Sequence, residues 1–207
     1  MAPSYKDKWF VIGISGVTCG GKTTLASKLT NILCPVYVFN QDKYFYPDDS
    51  PKHVKCKGLK EPHNNYEILS SMDMGSMYSD ILDTMEGFSD KSVERNICDK
   101  SGQLKLGSKK ILIVEGFTVL NYKPILDLCD VRYYLVLEYS ICMLRRILRL
   151  YSPPDVAGYF ELYVWPAHMR YRAEIEKDVS IEILDGSMPD IFDSVVKQLK
   201  NLGFKPS

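Results

Sequence analysis

Between Trp9 and Leu29 the chain passes from an apolar, β-branched run through a glycine-rich loop into a helix-forming segment. Few backbones satisfy all three demands in that order. The run Phe10-Val11-Ile12-Gly13-Ile14 suits a buried strand, and Thr24-Leu25-Ala26-Ser27-Lys28-Leu29 suits a helix. The loop between them, Gly16-Val17-Thr18-Cys19-Gly20-Gly21-Lys22-Thr23, has the spacing of a polyphosphate cradle. Glycines at 16, 20 and 21 let backbone wrap closely around an anion, and the N–H groups opening the new helix point at it. Lys22 then supplies a point charge for the β- and γ-phosphates, and the Thr23 hydroxyl a ligand for Mg2+. Thr24 completes the set of loop residues expected around ATP. A chance glycine-rich turn would not come with strand and helix in the right order.

A second strand is expected over Val36–Asn40. Strand, helix and strand within about thirty residues make a βαβ unit, and therefore a parallel sheet. Gln41-Asp42-Lys43-Tyr44-Phe45 lies just past the carboxyl end of that strand, where open α/β sheets bind their ligands, so Asp42 is placed for chemistry as well as for capping. The apolar residues of Lys110–Val114 end in Glu115, as in nucleotide-binding strands whose terminal carboxylate helps hold Mg2+. Met74, Met77, Tyr78, Ile81, Leu82 and Met85 recur at helical spacing, and Val131–Leu137 reads as a further strand. Short strands are expected near Val93–Ile97 and Gln103–Leu106, Ser180–Gly186 as the last strand and turn, and a closing amphipathic helix from Ile191 to Leu202. Pro47–Asn65 reads as a surface loop whose His53, Cys56 and His63 are solvated. Trp165-Pro166 should kink or restart the helix of residues 158–177.

The helix expected over Ser140–Leu150 carries Arg145, Arg146 and Arg149 and runs into Tyr151-Ser152-Pro153-Pro154-Asp155. A basic helical face is usually just solvated. Ahead of a proline turn it suits a hinged lid, whose arginines close over a triphosphate and neutralise charge on the transferring phosphoryl group. The fold class expected is α/β, a P-loop kinase fold: a parallel sheet flanked by helices with a small arginine-bearing lid at about 145–160. The 207 residues suit one domain.

Composition narrows the function. Twenty-six basic residues balance twenty-six acidic ones, which argues against a nucleic-acid partner. No run is long and apolar enough to span a membrane, the N-terminal segment Met1–Lys8 lacks the apolar core of a signal peptide, and the six cysteines are scattered without zinc spacing. These point to a cytoplasmic protein with reduced thiols, expected to be a monomer. Cys19, in the phosphate loop, is the one thiol placed for redox chemistry, although a tolerated loop residue is the simpler reading. The Asn-Lys-x-Asp motif that reads guanine is missing: Asn121-Tyr122-Lys123-Pro124 does not match it. Small size, an acid after the second nucleotide-binding strand and an arginine-bearing lid point to a small-molecule kinase. A pyrimidine nucleoside kinase could share this machinery, and a nucleotide-bound adaptor would need no base at Asp42.

Several segments together resemble the nicotinamide riboside kinases: Gly13–Thr18 with Lys22–Ala26, Gln41-Asp42, Val114-Glu115-Gly116-Phe117, Asn121–Pro124, Tyr151-x-Pro153-Pro154-Asp155-x-x-Gly158-Tyr159-Phe160 and Val164-Trp165-Pro166. The resemblance runs in order from about Phe10 to Leu202. It implies ATP- and Mg2+-dependent phosphorylation of the ribose 5′-hydroxyl of nicotinamide riboside, with nicotinic acid riboside as a second substrate. It implies Asp42 as general base and metal neighbour, with Thr23 and Glu115 completing the metal site. Tyr66 and Tyr151 match an aromatic pair that sandwiches the base, Glu67 and Arg146 match groups holding the ribose hydroxyls, and Arg145 and Arg149 match lid contacts to ATP. Lys43, Tyr44, Phe45 and Ser152 fall among the substrate-side positions, and residues after Asp185-Gly186 near the adenine. Two departures stand out: Glu67 replaces the family's aspartate, one methylene longer, and Lys43 replaces an acid beside a cationic substrate.

Overall fold

A computed structural model describes residues 5–98 and 101–207. Met1–Ser4 of the polar N-terminal segment, and Asp99 and Lys100 of the polar stretch before Lys110, lie outside the described residues. Strand β1 (Trp9–Gly16) leads into helix α1 (Lys22–Ile32) and strand β2 (Val36–Asn40). Helix α2 (Met74–Glu86), edge strand β3 (Glu94–Asn96), strand β4 (Leu104–Lys105) and strand β5 (Lys110–Glu115) follow. Helix α3 (Lys123–Leu126), strand β6 (Val131–Val136), helix α4 (Tyr139–Ile147), helix α5 (Trp165–Ile175), strand β7 (Glu182–Asp185), helix α6 (Ile191–Asn201) and strand β8 (Lys205–Pro206) complete the order.

The main sheet runs β3-β2-β5-β1-β6-β7, parallel throughout except for the antiparallel edge β3. Continuous apolar runs in β1 and β5 follow from burial on both faces. Trp9, Val11, Leu112 and Val114 point to one side, where α2 and α3 contribute Met77, Ile81 and Ile125. Phe10, Ile12, Ile14, Ile111 and Ile113 point to the other, against Leu25 and Leu29 of α1 and Val195 and Leu199 of α6. A third cluster, Val17, Leu137, Cys142, Tyr159, Phe160 and Val164, lies beneath the phosphate loop and fixes α4 to the segment after it. No described helix is long and apolar enough to cross a membrane.

Three expectations are corrected. Ser180–Gly186 is not the last strand, because β8 follows and pairs antiparallel with β4 in a separate two-stranded ribbon. The six thiols are not all reduced: Cys34 and Cys98 form a disulfide, with their Cα atoms 5.1 Å apart. The pairing of β2 with β3 explains the encounter, since Val36 opposite Asn96 carries the flanking cysteines into register. His53 and His63 are buried, not solvated, because the Pro47–Asn65 loop folds back on itself through Cys56 N–H to His63 O and Asn65 N–H to Val54 O. The restart expected at Trp165-Pro166 is present: a wide π-helical turn, Phe160–Val164, gives way to α5 at Trp165, and Pro166 occupies that helix's first turn.

Candidate active site

The site lies beyond the carboxyl ends of β1, β2 and β5. Gly16 ends β1 at φ 126°, and a Cβ there would collide with the Leu135 carbonyl of β6. The close approach lets Val17 N–H donate to that carbonyl at 2.9 Å and turns the loop back over the sheet. Gly21, in left-handed conformation at φ 94°, caps α1 without any side-chain hydrogen bond. The first helical N–H groups thus have no internal acceptor, and they face a cavity of about 270 Å3 lined by Gly21, Lys22, Thr23, Thr24, Arg145 and Arg149. Such an arrangement is suited to an anion.

Lys22 is half-buried and donates to the Val17 carbonyl at 2.8 Å. Burial depresses its pKa, only partly offset by the charges of Glu115 and Asp42. Glu115 answers in kind: burial raises its pKa against the pull of Lys22 and the Thr23 hydroxyl. Both groups would gain from a bound counter-charge, and a phosphate with Mg2+ supplies both signs. Thr23 Oγ1 donates to Glu115 Oε1 at 3.0 Å, so hydroxyl and carboxylate converge. Mg2+ held by one or two carboxylates plus phosphate oxygens asks no more of the protein than Thr23, Glu115 and Asp42 offer.

Asn40 is a functional position that sequence reading missed. The parallel register places it opposite Glu115. Its Nδ2 donates to Glu115 Oε1 at 2.6 Å, and its Oδ1 accepts the Asp42 N–H at 2.7 Å. One amide therefore fixes both acids. Gln41 braces the same turn from behind, donating to Thr118 Oγ1 at 2.8 Å and accepting the Thr118 N–H at 3.1 Å. A short 3-10 turn, Gln41–Tyr44, then directs Asp42 and Phe45 to the cavity.

That cavity, about 340 Å3, joins the phosphate loop to an aromatic chamber. Thr18, Cys19, Lys22, Thr23, Asp42 and Glu115 line one part, with Arg149. Phe45, Tyr66, Glu67, Arg146, Tyr151, Ser152, Asp155 and Tyr159 are among those lining the rest. Lys43 and Tyr44 do not line it. The 3-10 turn leaves Lys43 in solvent and carries Tyr44 to α2, where its hydroxyl donates to Asp80 Oδ2 at 3.1 Å. The replacement of an acid by Lys43 therefore falls outside the chamber.

Arg146 is the hub of the lid. Its guanidinium grips Asp155 with two bonds, Nε to Oδ2 at 2.5 Å and Nη2 to Oδ1 at 3.0 Å, and reaches Glu67 Oε1 at 3.2 Å and Thr18 Oγ1 at 3.2 Å. Burial opposes its charge, but the Asp155 hydrogen bonds and the charge of Glu67 more than compensate, and its pKa rises. Burial raises the pKa of Glu67, opposed by Arg146. The Tyr151 ring lies 4.5 Å from the Arg146 guanidinium carbon and 5.1 Å from that of Arg149. Its hydroxyl is 3.1 Å from Thr18 Oγ1 and 3.5 Å from Cys19 Sγ, which ties the lid to the phosphate loop. Arg145 points to the other side, donating to the carbonyls of Cys19 at 3.2 Å and Gly186 at 3.1 Å. It lines both the anion cavity and a neighbouring one of about 220 Å3 formed by Gly20, Thr24, Lys28, Gly186, Met188 and Phe192 among others.

Sheet order, phosphate loop and converging acids define a P-loop phosphotransferase. A solved sugar kinase from Janibacter sp. HTCC2649 superimposes with a TM-score of 0.52 at 12% identity, over 93% of this chain and 92% of that one, a likeness of fold. The Phosphoribulokinase / Uridine kinase family model matches residues 11–152. Nicotinamide riboside kinase 1 of Homo sapiens is 38% identical over 196 residues, 93% of this chain and 92% of that protein. Nicotinamide riboside kinase 2 of Homo sapiens is 36% identical over 195 residues, 92% of this chain and 81% of that protein. The chain belongs to the phosphoribulokinase / uridine kinase family and, within it, to the nicotinamide riboside kinases.

Proposed function

We propose that this kinase transfers the γ-phosphoryl group of ATP to the 5′-hydroxyl of nicotinamide riboside, giving the mononucleotide for NAD salvage, and that it also accepts nicotinic acid riboside. The observation that carries the reading is the shared cavity, which Asp42 lines together with the phosphate-loop residues and the aromatic chamber. Relatives named as nicotinamide riboside kinases support the same substrate.

In this mechanism Asp42 accepts the 5′-hydroxyl proton and orients that oxygen in line with the γ-phosphorus. Lys22 and the α1 N-terminus hold the β- and γ-phosphates, and Arg145 and Arg149 neutralise charge on the nucleotide. Thr23 and Glu115, with Asp42 alongside, would hold Mg2+, which when bound draws charge from the phosphate oxygens. Glu67 and Arg146 meet the ribose hydroxyls. Tyr66 and Tyr151 flank the pyridinium, a cation attracted by π-faces. ATP as donor makes this intracellular chemistry, so the cytoplasm is the proposed compartment, and one domain suffices.

The test is Mg2+- and ATP-dependent phosphorylation of nicotinamide riboside, nicotinic acid riboside, uridine and cytidine in parallel. Preference for the pyridine ribosides is expected; preference for a pyrimidine would keep the kinase and overturn its substrate. Tyr151→Ala should raise KM for nicotinamide riboside about tenfold while changing that for ATP less than about threefold, on cation–π and stacking magnitudes. Equal losses for both substrates would make Tyr151 a latch on the loop through Thr18 and nothing more.

A further inference from the structure

The wall of the chamber carries an acid that the proposed mechanism does not use. Asp48 lines the cavity from the loop after β2. Its Oδ1 accepts the Tyr66 hydroxyl at 2.9 Å. Asn64 closes the arrangement: its Nδ2 donates to the Asp48 carbonyl at 2.9 Å and to the Tyr66 hydroxyl at 3.1 Å, while its own Oδ1 accepts from Lys55 at 2.6 Å. The carboxylate is therefore held at the rim of the Tyr66 ring by the tyrosine hydroxyl, while Asn64 ties the Asp48 backbone to the same hydroxyl. The ring is fixed in turn by His53 and His63, whose centroids lie 5.1 and 5.5 Å from it, and by Phe45 at 5.9 Å.

Among the described residues Asp48 makes no ion pair, so its charge is not cancelled locally. Only one of its oxygens is engaged by Tyr66, which leaves acceptor capacity at the other. A pyridine base lying on the Tyr66 face carries its substituent at the ring edge, where the Tyr66 hydroxyl and Asp48 are. A carboxamide there presents an N–H donor on a cationic ring. A carboxylate presents a second negative charge to an acid held in place, and like charges at this range are costly even where solvent enters.

We propose that Asp48 is the specificity-determining residue of this site, favouring the cationic amide, nicotinamide riboside, over the zwitterionic acid, nicotinic acid riboside. The inference rests on the pyridine-riboside reading above, and it refines that reading from "accepts both" to a ranked pair.

The experiment measures kcat/KM for both ribosides in the wild-type protein, in Asp48→Asn and in the bystander control Asp49→Asn. Asparagine keeps an acceptor for the Tyr66 hydroxyl and removes only the charge, so a purely structural role would move both substrates together. The amide-to-acid ratio should exceed one in the wild type, fall about tenfold in Asp48→Asn and hold in Asp49→Asn; the expected change follows from removing one screened unit charge. An unchanged ratio in Asp48→Asn, including equal losses on both substrates, would overturn the assignment while leaving the kinase reading intact. Phosphorylation of pyrimidine nucleosides with neither pyridine riboside turned over would instead overturn the substrate reading, and this inference with it.

Discussion

Asp42→Asn should lower kcat on nicotinamide riboside by about a thousandfold and leave the Kd for ATP within about threefold. The amide preserves the shape of the carboxylate and cannot take a proton. Asp42 N–H would still donate to Asn40 Oδ1, so the 3-10 turn and the neighbouring Glu115 stay in place. ATP is held by groups that the substitution does not touch: the α1 N-terminus, Lys22 and Arg149. Single-turnover kinetics with titration calorimetry for ATP separate the two effects. Near-normal turnover would remove Asp42 from the base role, and a matching collapse of ATP affinity would make it chiefly a metal residue.

The elements that could be read from sequence were those whose pattern is dictated by burial on both faces. Strands β1, β5 and β6 are apolar at successive positions because helices cover both sides, and α2 shows its buried stripe at helical spacing. The phosphate loop was legible because glycine spacing and the following lysine have a local cause. What could not be read depends on register between distant segments. Asn40 matters because the β2–β5 pairing sets it against Glu115, and Cys34 meets Cys98 because β2 pairs with β3. Strand β8 is two residues long and exposed, too short for any alternation to show. His53, His63 and Asp48 sit in a loop whose polar composition is that of a solvated surface. Only its folding back onto Tyr66 makes the loop a wall of the chamber.

Arg146 was legible as a lid cation but not as a buried hub, because its partners lie 79 and 9 residues away and only the closed chamber unites them. Arg146→Met should cost about 3 kcal/mol of stability at pH 8, because removing one partner of a buried pair leaves its charge uncompensated. Methionine fills similar volume, so the effect reports charge more than packing. The sign of the pH dependence follows from Glu67. Burial already raises its folded pKa above the ordinary value of 4.5, despite Arg146. Without Arg146 that pKa climbs further, so the buried carboxyl is tolerated when protonated and penalised when ionised. A group with a raised folded pKa stabilises fully below its unfolded pKa and loses that contribution as pH rises through the folded one. The deficit of Arg146→Met should therefore be largest at pH 8 and shrink as pH falls towards 4.5. Thermal denaturation at pH 5 and pH 8 measures it. Adding Glu67→Gln to Arg146→Met should restore part of the loss at pH 8, since the amide carries no charge to bury. A pH-independent deficit that Glu67→Gln leaves unchanged would mean that Arg146 stabilises the lid through Asp155 and Tyr151 rather than by compensating Glu67.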